Sequence, residues 1–284
     1  MKIHLLVNIF RSDAVEAAQG AAAWLSERGV EVAVDPDTAR ATGLPVVDLH
    51  AFGACDLIVA FGGDGTLIRA AHLKEDLETP ILGVYYGRFG FVTQCTGDNL
   101  IHCLETFLAG EARQESRMML QAELLRANKV VATLHALNET ILQRATTARM
   151  MTFHVAVDGH GLTSYPSDGI IVATPTGSTA YNLSVGGPIV DPRVRALVLT
   201  ALAPHTLSAR PLVLRHDSEI QLTIESDGDA VLSADGQSRL HILSGDIVRV
   251  KMSPRVTCLV SVEADDFLIK LGQRLFWSQS LLGS

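Results

Sequence analysis

Four short apolar stretches punctuate the first third of the chain: "IHLLV" (Ile3–Val7), "VEVAV" (Val30–Val34), "LIVAF" (Leu57–Phe61) and "ILGVYY" (Ile81–Tyr86). Short apolar runs bounded by polar and turn residues read as buried strands. Between the first two, the spacing changes. Val15, Ala18, Ala22 and Leu25 recur at intervals of three and four, which predicts a helix with one apolar face. Ser12 and Asp13 suit its start, and Gly29 suits its stop. Strands alternating with helices predict a parallel sheet covered by helices.

Farther along, the rhythm becomes period two. "TFHVAVD" puts Phe153, Val155 and Val157 on one face, and "EIQLTIE" puts Ile220, Leu222 and Ile224 opposite Gln221 and Thr223. "IVRVKM" (Ile247–Met252) repeats the alternation, and "SDGD" and "ADGQ" supply turns. That pattern predicts antiparallel sheet. The expected fold is an α/β N-terminal domain with a parallel sheet, residues 1–104, followed by a β-rich C-terminal domain, residues 105–261. "ADDFLIKLGQRLFW" returns to a helical pattern, so residues from about 262 to 284 are expected to pack back on the first domain.

Composition narrows the class. Of 284 residues, 48% are hydrophobic and only 5% aromatic, so the core is aliphatic. The net charge of -8 argues against nonspecific binding to nucleic acid or to an anionic membrane. It leaves a nucleotide ligand open, because backbone amides hold phosphates without net positive charge. Cys55, Cys95, Cys103 and Cys258 show no C-x-x-C spacing and are expected to be reduced thiols. No signal-peptide pattern and no run of about 18 apolar residues is present, so a cytoplasmic protein without a membrane span is expected.

Three segments carry chemistry. "GGDGT" (Gly62–Thr66) stands where the third strand stops. Ligands of open parallel sheets bind beyond strand C-termini, and glycines let a ligand approach the main chain. A carboxylate among phosphate-binding glycines makes sense if it meets a hydroxyl or a metal; an ordinary glycine turn with Asp64 as helix cap is the alternative. "TPTGSTAY" (Thr174–Tyr181) is dense in hydroxyls and backbone donors, with Tyr181 able to stack on a base or ribose. Asn138 and Glu139 are neighbours, and both reach one ligand only at a strand end or bulge; a solvated turn is the plain alternative.

Taken together, "GGDGT", "GRFGF" (Gly87–Phe91), "NET" (Asn138–Thr140), "SDGIIVATPTGSTAYNLSVGGPIV" (Ser167–Val190), "PHTLSARPLV" (Pro204–Val213), "DGQ" (Asp235–Gln237) and "FLIKLGQRLFW" resemble the NAD kinase family over nearly the whole chain. "GGDGT" alone is shared with diacylglycerol and sphingosine kinases. "TPTGSTAY" followed by "PHTLSARP" is specific. The resemblance implies phosphorylation of NAD at the adenosine ribose 2′-hydroxyl to give NADP, with ATP or polyphosphate as donor and a divalent metal, Mg²⁺, on the donor phosphates. It implies no metal held by protein residues alone, and a homodimer or homotetramer.

By the same resemblance Asp64 takes the general-base position, with Gly65 beside it. Asn138 and Glu139 contact NAD ribose, Asp168 the nicotinamide amide, and Thr179, Ala180, Tyr181 and Ser184 enclose the nucleotide. Arg149, Ala203 and Gln237 align with further contacts. Gly62, Gly63, Gly65 and Thr66 shape the donor phosphate pocket. Two departures stand out: Tyr85 where the family usually has Asn, and Pro166 where relatives often have Arg or Gly. The rival readings are a lipid kinase using the same loop, which needs no nucleotide-enclosing segment, and a nucleotide sensor without turnover.

Overall fold

The computed structural model describes residues 1–86, 90–92, 95–145, 150–225, 229–262 and 267–275. The chain divides into two compact units: Met1–Ser116 with the described part of Thr257–Ser284, and Arg117–Val256.

The first unit runs β1 (Lys2–Val7), α1 (Ser12–Ser26), β2 (Glu31–Val34), α2 (Pro36–Thr42), β3 (Leu57–Gly62), α3 (Asp64–Leu73), β4 (Ile81–Tyr85), β5 (Cys95–Thr96) and α4 (Leu100–Leu108). The strands pair in parallel in the order β2-β1-β3-β4-β5, with Ile3 opposite Leu57 and Ile58 opposite Ile81. Ile3, Leu5, Leu57, Val59 and Leu82 form one cluster with Ala14, Ala18 and Leu25 of α1 and with Leu100 and Leu104 of α4. Both helices therefore cover the same sheet face.

The buried face of α1 differs slightly from the expected one. Ala14, Ala18, Ala21, Ala22 and Leu25 are buried, while Val15 flanks them half-buried. The helix begins one residue earlier than a Ser12 cap requires and two earlier than an Asp13 cap requires. Both lie in its first turn, where Asp13 pairs with Arg11 at 2.6 Å and complements the helix N-terminus.

The second unit is antiparallel throughout its named pairings. Its elements are β6 (Arg113–Arg126), β7 (Lys129–Ala136), β8 (Glu139–Arg144), β9 (Met151–Val157), β10 (His160–Ser167), β11 (Gly169–Ala173), α5 (Tyr181–Ser184), β12 (Ala196–Leu202), β13 (Leu212–Arg215), β14 (Ile220–Glu225), β15 (Ala230–Ala234), β16 (Ser238–Ile242) and the start of β17 (Ile247–Ser261). One sheet has the order β13-β12-β11-β8-β15-β16; β10, β9, β14 and β17 pair in turn in another. Residues of both sheets share one core, including Phe153, Val155, Ile170, Val172, Leu199, Leu222 and Val250. Ile220, Leu222 and Ile224 are buried as the alternation predicts, and Gln221 and Thr223 stay partly exposed.

Pro166 sits on β10, an edge strand, where a missing N–H costs no inner ladder bond. In the first unit, the end of β17 returns beside β4, with Leu259 opposite Ile81, and α6 (Phe267–Arg274) follows. The remainder of "FLIKLGQRLFW" lies outside the described residues.

Candidate active site

In the first unit, β3 delivers the chain into α3 through Gly62 and Gly63. Gly62 is a glycine for reasons of space: a Cβ there would lie 2.2 Å from Thr66 Oγ1. Gly63 is the N-cap of α3, and no side chain caps the helix. A helix start of this kind turns its backbone N–H groups toward an anion. Gly63, Gly65 and Thr66 line an open cleft of about 590 Å³, together with Asn8, Asp37 and Arg69. Gly62 lies buried beneath them.

Arg69, which sequence reasoning did not single out, is held by Asp35 at 2.8 Å and by Asp37 at 3.6 Å. Asp35 is fully buried and caps α2 by accepting from the Thr38 N–H. The cleft thus sets a guanidinium, itself paired with two carboxylates, beside a glycine-rich helix start whose backbone N–H groups suit phosphate.

Asp64 is half-buried. Its Oδ2 accepts from the Phe91 N–H at 2.8 Å and its Oδ1 from the Val92 N–H at 3.3 Å. The carboxylate is therefore anchored by the segment that follows β4. Tyr85 is the last residue of β4, half-buried, with Gly62 opposite it in the ladder. Residues 87–89 of "GRFGF" lie outside the described residues.

In the second unit, Asn138 and Glu139 stand where β8 begins, at the strand end their shared reach requires. Three backbone bonds to one carboxylate build this corner. Asp235 accepts from the N–H groups of Leu137 at 2.8 Å, Asn138 at 2.9 Å and Glu139 at 3.1 Å. Its own N–H returns to the Glu139 carbonyl at 3.0 Å. On the other side, Thr174 donates from Oγ1 to the Leu137 carbonyl at 2.6 Å and from its N–H to the Asn138 carbonyl at 2.8 Å. Gly177 packs so closely that a Cβ would lie 2.1 Å from the Asn138 carbonyl oxygen.

With the backbone fixed in this way, two side-chain atoms are left over. Asn138 Oδ1 and Glu139 Oε2 are buried and have no hydrogen-bond partner. Buried polar atoms are rarely left so, and a ligand hydroxyl or amide would satisfy both. Burial, and next the charge of Asp235, push the Glu139 carboxyl up to about 8 against the opposing pull of the Tyr181 backbone N–H. Near neutral pH the group therefore carries its proton and both donates and accepts.

The enclosing segment reaches this corner through Tyr181, whose side chain is 44% exposed. Thr179 and Ala180 precede it half-buried, Ser184 follows exposed, and Gln237 is exposed two residues beyond Asp235. Asp235 was legible as part of the "ADGQ" turn and of the family-like "DGQ", but not as the residue that pins Asn138 and Glu139, because its partners lie 96 to 98 residues away.

Asp168 does not join this corner. It pairs with Arg144 at 2.8 Å, at the far end of β8 from Glu139, about 17 Å away at about 3.3 Å per residue. Its N–H donates to the Leu202 carbonyl, which puts it beside Ala203, an exposed residue held at φ 41°. The second unit thus offers two polar clusters at the two ends of β8. Arg149 lies outside the described residues. Among the described residues, no group of three or more His, Cys, Asp or Glu side chains is placed to hold a metal ion.

Comparison with known proteins gives this arrangement a family. The ATP-NAD kinase N-terminal domain model matches residues 3–112, and the ATP-NAD kinase C-terminal domain model matches residues 137–262. The chain belongs to the NAD kinase family. It is 38% identical to the NAD kinase of Syntrophotalea carbinolica over 94% of this chain and 95% of that one. The NAD kinase of Geobacter metallireducens is 39% identical over 90% of this chain and 91% of its own length. Among solved structures, yeast NADH kinase complexed with NADH superposes with a TM-score of 0.89 at 26% identity, over 100% of this chain and 89% of that one. An NAD kinase from Archaeoglobus fulgidus in complex with ATP gives 0.76 at 25% identity, over 96% and 98%.

Proposed function

We propose that this chain phosphorylates the adenosine ribose 2′-hydroxyl of NAD with ATP, giving NADP and ADP. The observation that carries the reading is the pair of buried, unpartnered atoms, Asn138 Oδ1 and Glu139 Oε2, at the corner pinned by Asp235 and Thr174. They want hydroxyl or amide partners, which NAD has. A diacylglycerol acceptor offers one free hydroxyl for the two atoms, whereas a ribose offers neighbouring hydroxyls.

Phosphoryl transfer demands positioning and charge neutralisation more than covalent chemistry. The 2′-oxygen forms a bond to the terminal phosphorus as the bridging P–O bond breaks, and ADP leaves with that electron pair. Asp64 takes the hydroxyl proton. Gly63, Gly65 and Thr66, with Gly62 beneath, admit the terminal phosphate, and Arg69 faces its charge. Asn138 and Glu139 hold ribose hydroxyls. Tyr181 closes over the adenosine portion, with Thr179, Ala180 and Ser184 beside it. Asp168 takes the nicotinamide amide near Ala203; Gln237 and Arg149 complete the contacts.

A divalent metal, Mg²⁺, comes to this site on the donor's phosphates. Bound there, it would neutralise phosphate charge as the terminal group transfers. Inorganic polyphosphate is the alternative donor. The enzyme is further proposed to be a homodimer or homotetramer, and to be cytoplasmic, a location in keeping with four cysteines of which none forms a disulfide. A monomer by sedimentation at micromolar concentration would remove the assembly.

The test is an acceptor panel on the purified protein with ATP and Mg²⁺. NADP from NAD is the expected product. Phosphorylated diacylglycerol without NADP would establish the lipid kinase, and NAD binding without turnover the sensor.

A further inference from the structure

We infer that Gly90 is a positioning residue for Asp64: it leaves the space the carboxylate occupies, so that the N–H groups of Phe91 and Val92 can fix it. A Cβ on Gly90 would lie 1.8 Å from Asp64 Oδ1, 2.3 Å from its Cγ and 2.6 Å from its Oδ2. All three of the nearest atoms belong to one side chain. The position demands a glycine on grounds of space. What demands it is the approach of the carboxylate.

The two residues that follow supply the fixing bonds, 2.8 Å from Phe91 and 3.3 Å from Val92. One bond reaches each oxygen, which sets both the rotation and the tilt of the group. Gly90, Phe91 and Val92 thus form a seat. The glycine makes room, and the two amides orient what sits in it.

This inference rests on Asp64 being the group that accepts the ribose proton. Gly90 touches no reacting atom and acts only through Asp64. An alanine there has to push the short acidic side chain out of the seat, because the other side of the contact is backbone. The carboxylate then loses both amides and its place against the 2′-hydroxyl. A misplaced general base forfeits most of a rate contribution of about 10²–10⁴-fold.

The experiment compares wild type, Gly90→Ala, Asp64→Asn and the double variant. Turnover is measured alongside NAD binding by calorimetry. Gly90→Ala is expected to lower kcat by about 100-fold or more, with the NAD dissociation constant within about two-fold. The double variant should be no slower than Asp64→Asn alone, because both changes disable one group. Near-wild-type turnover of Gly90→Ala would overturn the inference, as would a double variant slowed by the product of the single effects. So would a single variant that loses NAD binding.

Folding is checked by a second pair. Asp64→Ala removes the atoms a new Cβ meets, so Gly90→Ala/Asp64→Ala should melt with Asp64→Ala; a much lower melting temperature would overturn the space argument. If Asp64→Asn itself keeps wild-type turnover, the base assignment fails, and that result is separate from any outcome at Gly90.

Discussion

Burial and the nearby charge of Asp235 hold the Glu139 carboxyl at about 8 against an ordinary 4.5, and the effects reach both stability and binding. In the unfolded chain its proton leaves near pH 4.5, whereas the folded protein keeps it until about pH 8. Stability therefore falls as pH rises between those values and levels off above them. Glu139→Gln, which cannot ionise, should match wild type near pH 4.5. It should gain in melting temperature toward pH 8, by on the order of 5 °C. Equal pH slopes in thermal melts of both proteins would show that the carboxyl is not perturbed as described. Tyr181, largely outside the core, makes a complementary prediction. Tyr181→Ala should raise the Michaelis constant for NAD by about 2–10-fold, the cost of an aromatic contact, and leave that for ATP unchanged. Equal effects on both would make the ring a support of the fold.

At the scale of elements, the chemistry stands where strands end. Asp64 follows β3, Asn138 precedes β8, and Thr174 follows β11. Gly177 shows how tightly such ends are packed. Its missing Cβ would meet the Asn138 backbone at 2.1 Å, an overlap no rotamer relieves. Gly177→Ala should cost about 1–3 kcal/mol by chemical denaturation and weaken NAD binding with it. Gly161→Ala, where nothing lies within 4 Å, should stay within about 0.5 kcal/mol.

The buried strands were legible because parallel strands covered by helices are apolar nearly throughout, as in Leu57–Gly62. β14 was legible for the opposite reason, a clean alternation. β6 was not. "RQESRMMLQAELLR" is rich in helix formers, yet it pairs with β7 through a turn in which Ala127 and Asn128 both take left-handed φ. Tertiary pairing overrides propensity there. Gly90 and Asp235 were illegible as site residues for another reason: their partners stand far away in sequence, and spacing rules see only neighbours.

For the whole molecule, the family is shared with relatives over nearly all of the chain, while the catalytic assignment rests on Asp64. Asp64→Asn keeps the shape of the side chain and removes its basic oxygen. The most direct measurement follows phosphorus NMR of the product formed from NAD and ATP by wild type and by Asp64→Asn across a magnesium titration. Wild type should give a single new monoester on the adenosine ribose 2′-oxygen. Asp64→Asn should make it at least about 100-fold more slowly at every magnesium concentration, the scale of a lost general base. Recovery of near-normal turnover at high magnesium would contradict the account and make Asp64 a metal ligand; a monoester at any other position would contradict the proposed reaction itself.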